Sequence, residues 1–168
     1  RNIVLFGESG VGKSSIINMI TGTPFAKTSN NVVRRTCQPA CYVAKLHSGN
    51  EINKINLWET TSLEEGPEET PATDTTGPEP KAFLQQLAGF HDLDLLLFCM
   101  RAGKVRNTLV QSYNLVYVES LERKVPVALV VTGLERWEGD MHGWWTKHEE
   151  RLQEHGLVFD AHACVTTL

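Results

Sequence analysis

Gly7-Glu8-Ser9-Gly10-Val11-Gly12-Lys13-Ser14 puts three glycines, a lysine and a hydroxyl into eight consecutive positions. This is the P-loop pattern, and its chemistry is the grip of a polyphosphate. The glycines let the backbone curl, through Glu8, Ser9, Gly10, Val11 and Gly12 to Ser15, so that successive amide hydrogens converge on phosphate oxygens. The helix that should open at Lys13 adds a favourable dipole. Lys13 would set its charge against the β- and γ-phosphates of a nucleoside triphosphate, as an anchor and as a catalytic neutraliser. Ser14 would give its hydroxyl to magnesium, which prefers oxygen ligands and keeps several waters.

Four further stretches carry chemistry. In "VRRTCQ", Thr36 can complete a magnesium shell when a γ-phosphate is present. "LWETTSLEEG" stands where a nucleotide switch would carry an Asp-x-x-Gly turn, and offers Glu59 and Ser62 instead. "VALVVTGLE" ends an apolar strand in Thr132-Gly133-Leu134-Glu135, where a GTPase would present Asn-Lys-x-Asp. A carboxylate there accepts from the guanine N1 and exocyclic amine, a donor pair that adenine lacks. Glu135 could take that role one methylene further out, or be an ordinary solvated loop glutamate. The closing "ACVTT" would bring the backbone of Val165 and Thr166 near the base edge.

Such residues need strands and helices to hold them. "NIVLF" reads as a strand entering the P-loop, and Ile16, Ile17 and Ile20 recur at helical spacing behind it. "CQPACYVAKLH" and "EINKINLW" flank the turn residues "SGN" as a hairpin, with Tyr42, Ala44 and Leu46 alternating against polar neighbours. "KAFLQQLAGF" predicts a helix, "LDLLLFCMR" a buried strand, "NTLVQSYNLVYVESLER" one long amphipathic helix and "VPVALVVTG" another buried strand. A helix around "HGWWTKHEERLQEHG" and a short strand in "AHACVTT" come last. Apolar strands without alternation, separated by helices, imply a three-layer α/β fold with a mostly parallel sheet and one antiparallel edge strand. From Glu59 to Pro80 the chain is acidic and proline-rich with little to bury, and is expected to be mobile or partly disordered. The chain stops at Leu168, where such a fold ordinarily adds a closing helix, so it is expected to lack that helix.

The 168 residues suit one domain, since a chain of this size buries roughly 70% of its unfolded surface in a single core. With 16 basic and 20 acidic side chains the formal charge is -4, which predicts no basic surface for nucleic acid or anionic lipid. Its apolar runs are too short to span a bilayer. Cys37, Cys41, Cys99 and Cys164 lack the crowding of a disulfide scaffold and read as reduced thiols in the cytoplasm. Cys37 and Cys41 have no second pair at zinc spacing, and His148 and His155 stand too far apart for a zinc helix. Trp137, Trp144 and Trp145 are assigned to packing. His47, His91, His142 and His162 have no carboxylate or nucleophile at a persuasive spacing.

In order, "GESGVGKSS", "RRTCQ", "LWETTSL", "VVTGLE" and "HACVTT" correspond to the five GTPase motifs and span almost the whole chain. The chain resembles the septin-like and immune-associated (IAN, or GIMAP) branch of the translation-factor-related GTPases. Within it, the chain is similar to fungal G-domain-containing proteins whose third motif reads Leu-Trp-Asp-Thr-x-Gly-Leu and whose fourth reads Val-Thr-Gly-Leu-Glu. The resemblance implies a Ras-like G domain over 1–168, with switch I at about 22–37 and switch II at about 59–80. It implies GTP or GDP with magnesium, makes Thr132, Gly133 and Glu135 the family's base-reading motif, and suggests a homodimer across the nucleotide face.

Two departures mark the switch. Glu59 keeps the charge that holds magnesium through water, but must fold back by a methylene. Ser62 takes a glycine position, which costs about 1 to 2 kcal/mol if the backbone is left-handed there. Leu63 stands where Ras-like enzymes place the glutamine that orients water. The expected function is a slow GTPase acting as a regulatory switch; the alternative is a pseudo-GTPase interaction module holding GDP or GTP structurally. Arg34 and Arg35 precede Thr36 where an arginine finger in cis could act, though a solvated basic pair is the plainer reading. A finger predicts that Arg34→Ala or Arg35→Ala slows single-turnover GTP hydrolysis about a thousandfold with GDP affinity unchanged; equal rates would dispose of it.

Overall fold

The computed structural model describes residues 1–24, 39–49, 51–60, 80–89 and 92–166. The chain runs β1 (Asn2–Phe6), α1 (Lys13–Thr21), β2 (Ala40–Ser48), β3 (Glu51–Glu59), α2 (Pro80–Gly89), β4 (Leu93–Arg101), α3 (Asn107–Tyr113), β5 (Val127–Thr132), α4 (His142–Glu154) and β6 (Ala161–Cys164). The six strands form one sheet in the order β2-β3-β1-β4-β5-β6. β1 lies parallel to β3 and β4, β4 to β5 and β5 to β6, while β2 pairs antiparallel with β3. This is the mostly parallel α/β fold with one antiparallel edge strand that the sequence predicts. The G-domain segments 22–37 and 59–80 fall largely outside the described residues.

Alternate residues of the central strands serve two cores, which explains why those strands are continuously apolar in sequence. Val4 and Phe6 of β1, Leu96, Phe98 and Met100 of β4, and Leu129 and Val131 of β5 pack with Leu84 of α2, Leu109 and Tyr113 of α3, and Trp144 and Leu152 of α4. Their neighbours Leu5, Leu97, Cys99 and Val130 pack on the other face with Ile16 and Ile17 of α1. Phe98 sits among aromatic rings, with Phe6 at 5.5 Å, Tyr113 edge-on at 5.6 Å and Phe159 at 5.8 Å. Tyr113 also donates its hydroxyl to the Val158 carbonyl at 2.7 Å, fastening α3 to the approach to β6.

Two expectations are corrected in detail. The single helix predicted over 107–123 is α-helical only to Tyr113 and continues as a π-helix over Asn114–Ser120. The Ser120 hydroxyl donates to the Leu115 carbonyl five residues back at 2.7 Å, and Leu121 N bonds Val116 O at 3.0 Å, so the wider turn satisfies its own carbonyls. In β2 the alternation holds only part-way: Ala44 is buried, but Leu46 is exposed, as are Val43 and Ile52 on the hairpin. Among the described residues no helix is long and apolar enough to cross a membrane.

The fold also joins two histidines that sequence spacing had left apart. His162 of β6 lies flat on Trp145 of α4, with ring centroids at 4.1 Å and planes 8° apart. Its Nε2 meets Nδ1 of His142 at 3.1 Å. Burial, and next the neighbouring His142, hold His162 below its ordinary value of 6.5, with Glu149 pulling weakly the other way. A depressed pKa means that the folded chain takes up fewer protons than the unfolded chain just below pH 6.5. The stabilisation is therefore full above that pH and lost as the pH falls through the depressed value. Wild type should accordingly lose more thermal stability between pH 7.5 and 5.5 than His162→Gln does; parallel melting curves would show that the pair contributes nothing.

Candidate functional site

The turn between β1 and α1 is built by backbone freedom at Gly7 and Gly12. Gly7 has φ 150°, and a Cβ there would stand 2.2 Å from the Cys99 carbonyl oxygen of β4. The loop can therefore leave the sheet only with glycine at this point. Gly12 has φ 97° and is the residue from which α1 springs, with Ile16 N bonding its carbonyl at 2.9 Å. Lys13 is folded back into the loop that precedes it. It is only 9% exposed, and its ammonium donates to the Gly7 carbonyl at 2.8 Å and the Glu8 carbonyl at 3.0 Å. Beneath it, burial pushes the Cys99 thiol up to about 12, against the opposing pull of Lys13.

Ser14 and Glu59, assigned from sequence to one magnesium shell, are brought together: the Ser14 hydroxyl donates to Glu59 Oε1 at 2.6 Å. Glu59 closes β3, and the residue that holds it there is Thr60, which sequence reasoning had missed. Thr60 is 1% exposed and bonds the Leu5 carbonyl through both its amide, at 3.2 Å, and its hydroxyl, at 3.0 Å. The other proposed switch residues, Arg34, Thr36 and Ser62, lie outside the described residues.

At the opposite end, Thr132 is 2% exposed and spends its hydroxyl inward, on the Val11 carbonyl at 2.5 Å and the Met100 carbonyl at 3.3 Å. Its side chain thus ties the end of β5 to the P-loop. Gly133 turns the chain at φ 75° over the Arg101 side chain, and buried Leu134 anchors the loop, leaving Glu135 exposed. Trp137 N closes the turn on the Leu134 carbonyl at 2.9 Å. Val165 N bonds the Val131 carbonyl at 2.8 Å, and exposed Thr166 comes next in the chain.

Beside the loop opens a groove of about 690 Å³, walled by Glu8, Ser9 and Gly10 on one side and by the loop from Arg101 to Arg106 on the other. Arg101, Lys104 and Arg106 stand in this groove; "RAGKVR", with three cations in six residues, was the sequence signal for it. Among the described residues no cluster of three or more His, Cys, Asp or Glu could hold a metal by itself. Outside that groove, the Ser14 hydroxyl and the Glu59 carboxylate are two oxygen donors already side by side.

A family model described as 50S ribosome-binding GTPase matches residues 2–132. A search of curated proteins finds no match. Among solved structures, Era in complex with MgGDPNP and a fragment of 16S ribosomal RNA is 19% identical, with a TM-score of 0.63 over 99% of this chain and 51% of that one. Toc33 from Arabidopsis thaliana in complex with GDP and Mg2+ is 18% identical, with a TM-score of 0.62 over 99% of this chain and 70% of that one. SsGBP variant G235S is 18% identical, with a TM-score of 0.57 over 99% of this chain and 50% of that one. At these identities the likeness establishes the fold. The chain spans about half the length of the SsGBP and Era chains.

The contact at Gly7 can be checked directly. Gly7→Ala should cost roughly 2 to 4 kcal/mol, because the new Cβ meets backbone and the residue is held at positive φ. Chemical denaturation of purified protein reads it, and a variant as stable as wild type would mean that the loop can lift off β4.

Proposed function

Because the chain belongs to the family of 50S ribosome-binding GTPases, we propose that it is a guanine-nucleotide switch that binds GTP and GDP with magnesium and hydrolyses GTP slowly. The observation that carries the reading is the 2.6 Å contact between Ser14 Oγ and Glu59 Oε1, next to a lysine already turned into the P-loop. A hydroxyl and a carboxylate, both oxygen donors, fit magnesium's preference. The extra methylene of Glu59 is accommodated, since its carboxylate reaches Ser14 from the end of a strand pinned by Thr60. Magnesium, when bound, would offset the charge of the β- and γ-phosphates.

In this scheme the amides from Ser9 to Ser15 receive the phosphates and Lys13 exchanges its carbonyl partners for phosphate oxygens. Glu135 reads guanine, beside the backbone of Val165 and Thr166. Thr36 joins Ser14 when the γ-phosphate is present. Hydrolysis breaks the bond between the γ-phosphorus and the β–γ bridging oxygen as water attacks, releasing GDP and phosphate. Leu63 offers that water no hydrogen bond, and Ser62 weakens the sensing of the γ-phosphate, which is why the rate is proposed to be low.

The finer placement in the septin-like and GIMAP branch rests on the motif order. A homodimer across the nucleotide face accords with the description of dimerization as important for the GTPase activity of Toc33. Era is described in complex with RNA, so the acidic balance of this chain does not decide against a nucleic-acid partner. A reducing compartment, the cytoplasm, suits the free thiols Cys41, Cys99 and Cys164.

The test is to identify by chromatography the nucleotide released from purified protein, then measure a single turnover of added GTP with magnesium. Guanine nucleotide and conversion faster than in Lys13→Ala are expected. Nucleotide bound without conversion would instead make the chain a pseudo-GTPase module. The absence of any guanine-nucleotide binding would end the proposal.

A further inference from the structure

Glu8 places a carboxylate in a loop whose task is to receive anions. Its side chain is 18% exposed, and Oε1 accepts a hydrogen bond from the Thr108 hydroxyl of α3 at 2.7 Å, while Oε2 stands 3.9 Å from Arg106. Thr108 lies in the first turn of α3, where no earlier turn of the helix offers its hydroxyl a carbonyl, and the hydroxyl is spent on a partner 100 residues away in sequence. No side-chain cap occupies the start of α3, where Arg106 is the N-cap residue, so the hydroxyl and the guanidinium there both attend to Glu8.

The Glu8 main chain is part of the phosphate cradle, its carbonyl holding Lys13 at 3.0 Å. The rotamer of Glu8 therefore decides whether its charge lies along the path of the phosphates or away from it. A carboxylate facing the cradle would repel the polyphosphate and compete for Lys13; one fastened to α3 does neither. The groove wall that fastens it supplies the positive charge of Arg106 and one directed donor, Thr108.

We infer that Thr108 is a positioning residue for nucleotide binding: its hydroxyl, seconded by Arg106, latches the Glu8 carboxylate to α3 and keeps that charge out of the phosphate cradle. The inference rests on the nucleotide-binding reading and adds to it a device that tunes affinity. Thr108 is exposed, so its substitution removes the bond without opening the core.

The experiment is a double-mutant cycle with fluorescent mant-GDP and magnesium, measuring dissociation constant and release rate for wild type, Thr108→Val, Glu8→Gln and the pair, with thermal melting of each. Thr108→Val should weaken mant-GDP roughly tenfold, about one step of 1.4 kcal/mol. The loss should come chiefly through faster release, with melting little changed. Thr108→Ser, which keeps the hydroxyl, should restore wild-type binding. In a Glu8→Gln background the same Thr108→Val change should add no further loss, because the charge being latched is gone. An equal loss in both backgrounds would make Thr108 merely structural, and no loss in either would remove the latch; both overturn the inference. Wild type failing to bind mant-GDP would instead overturn the nucleotide reading beneath it.

Discussion

Everything at the site depends on the close approach of the Gly7 backbone to the Cys99 carbonyl. Because no Cβ intervenes, the chain can leave β1 and cross the end of β4 instead of rising away from it. Three sets of hydrogen bonds then become possible. Val11 comes low enough for Thr132 to reach its carbonyl, Lys13 can fold back on Gly7 and Glu8, and Ser14 arrives opposite the end of β3. Each of these uses a polar group that would otherwise be stranded at the edge of an apolar sheet, and no described buried side-chain polar atom is left without a partner.

The sheet prepares both ends of this arrangement in the same way. Thr60 and Thr132 stand at the ends of β3 and β5, are almost fully buried, and turn their hydroxyls inward onto carbonyls of neighbouring segments. Each buried threonine thereby sets its chain neighbours in place: Glu59 beside the P-loop and Gly133 to Glu135 beyond the end of β5. The loop chemistry is thus exposed, while the residues that aim it are in the core.

This division explains what could be read from the sequence. The P-loop, the central strands and the hairpin are local patterns, in which neighbours a few positions apart share one face or one turn. The α/β fold and its mostly parallel sheet are consequences of them. The Ser14–Glu59 meeting was legible because both residues are assigned from sequence to one magnesium shell. Thr60, the bond from Thr108 to Glu8 and the pairing of His142 with His162 were not legible. Nothing in the local pattern distinguishes a threonine that bonds its own helix from one that reaches across the fold, or a histidine on a strand from its neighbour on a helix. The π-helical stretch was hidden for another reason: a widened turn shifts the apolar stripe by one residue, which an amphipathic helix tolerates without a visible break.

The thiol of Cys99 is fully buried beneath the P-loop, and burial raises its pKa to about 12. Since only the thiolate attacks an alkylating reagent, such a sulfur is silent while the loop lies closed over β4. Any reaction it undergoes must therefore pass through excursions that uncover it, in which the loop or the α1 residues Ile16 and Ile17 packed with it part from the strand below. Cys99 is in that sense a built-in clock for the opening of the layer formed by the loop and α1 over β4, readable by mass spectrometry without attaching a probe to the loop.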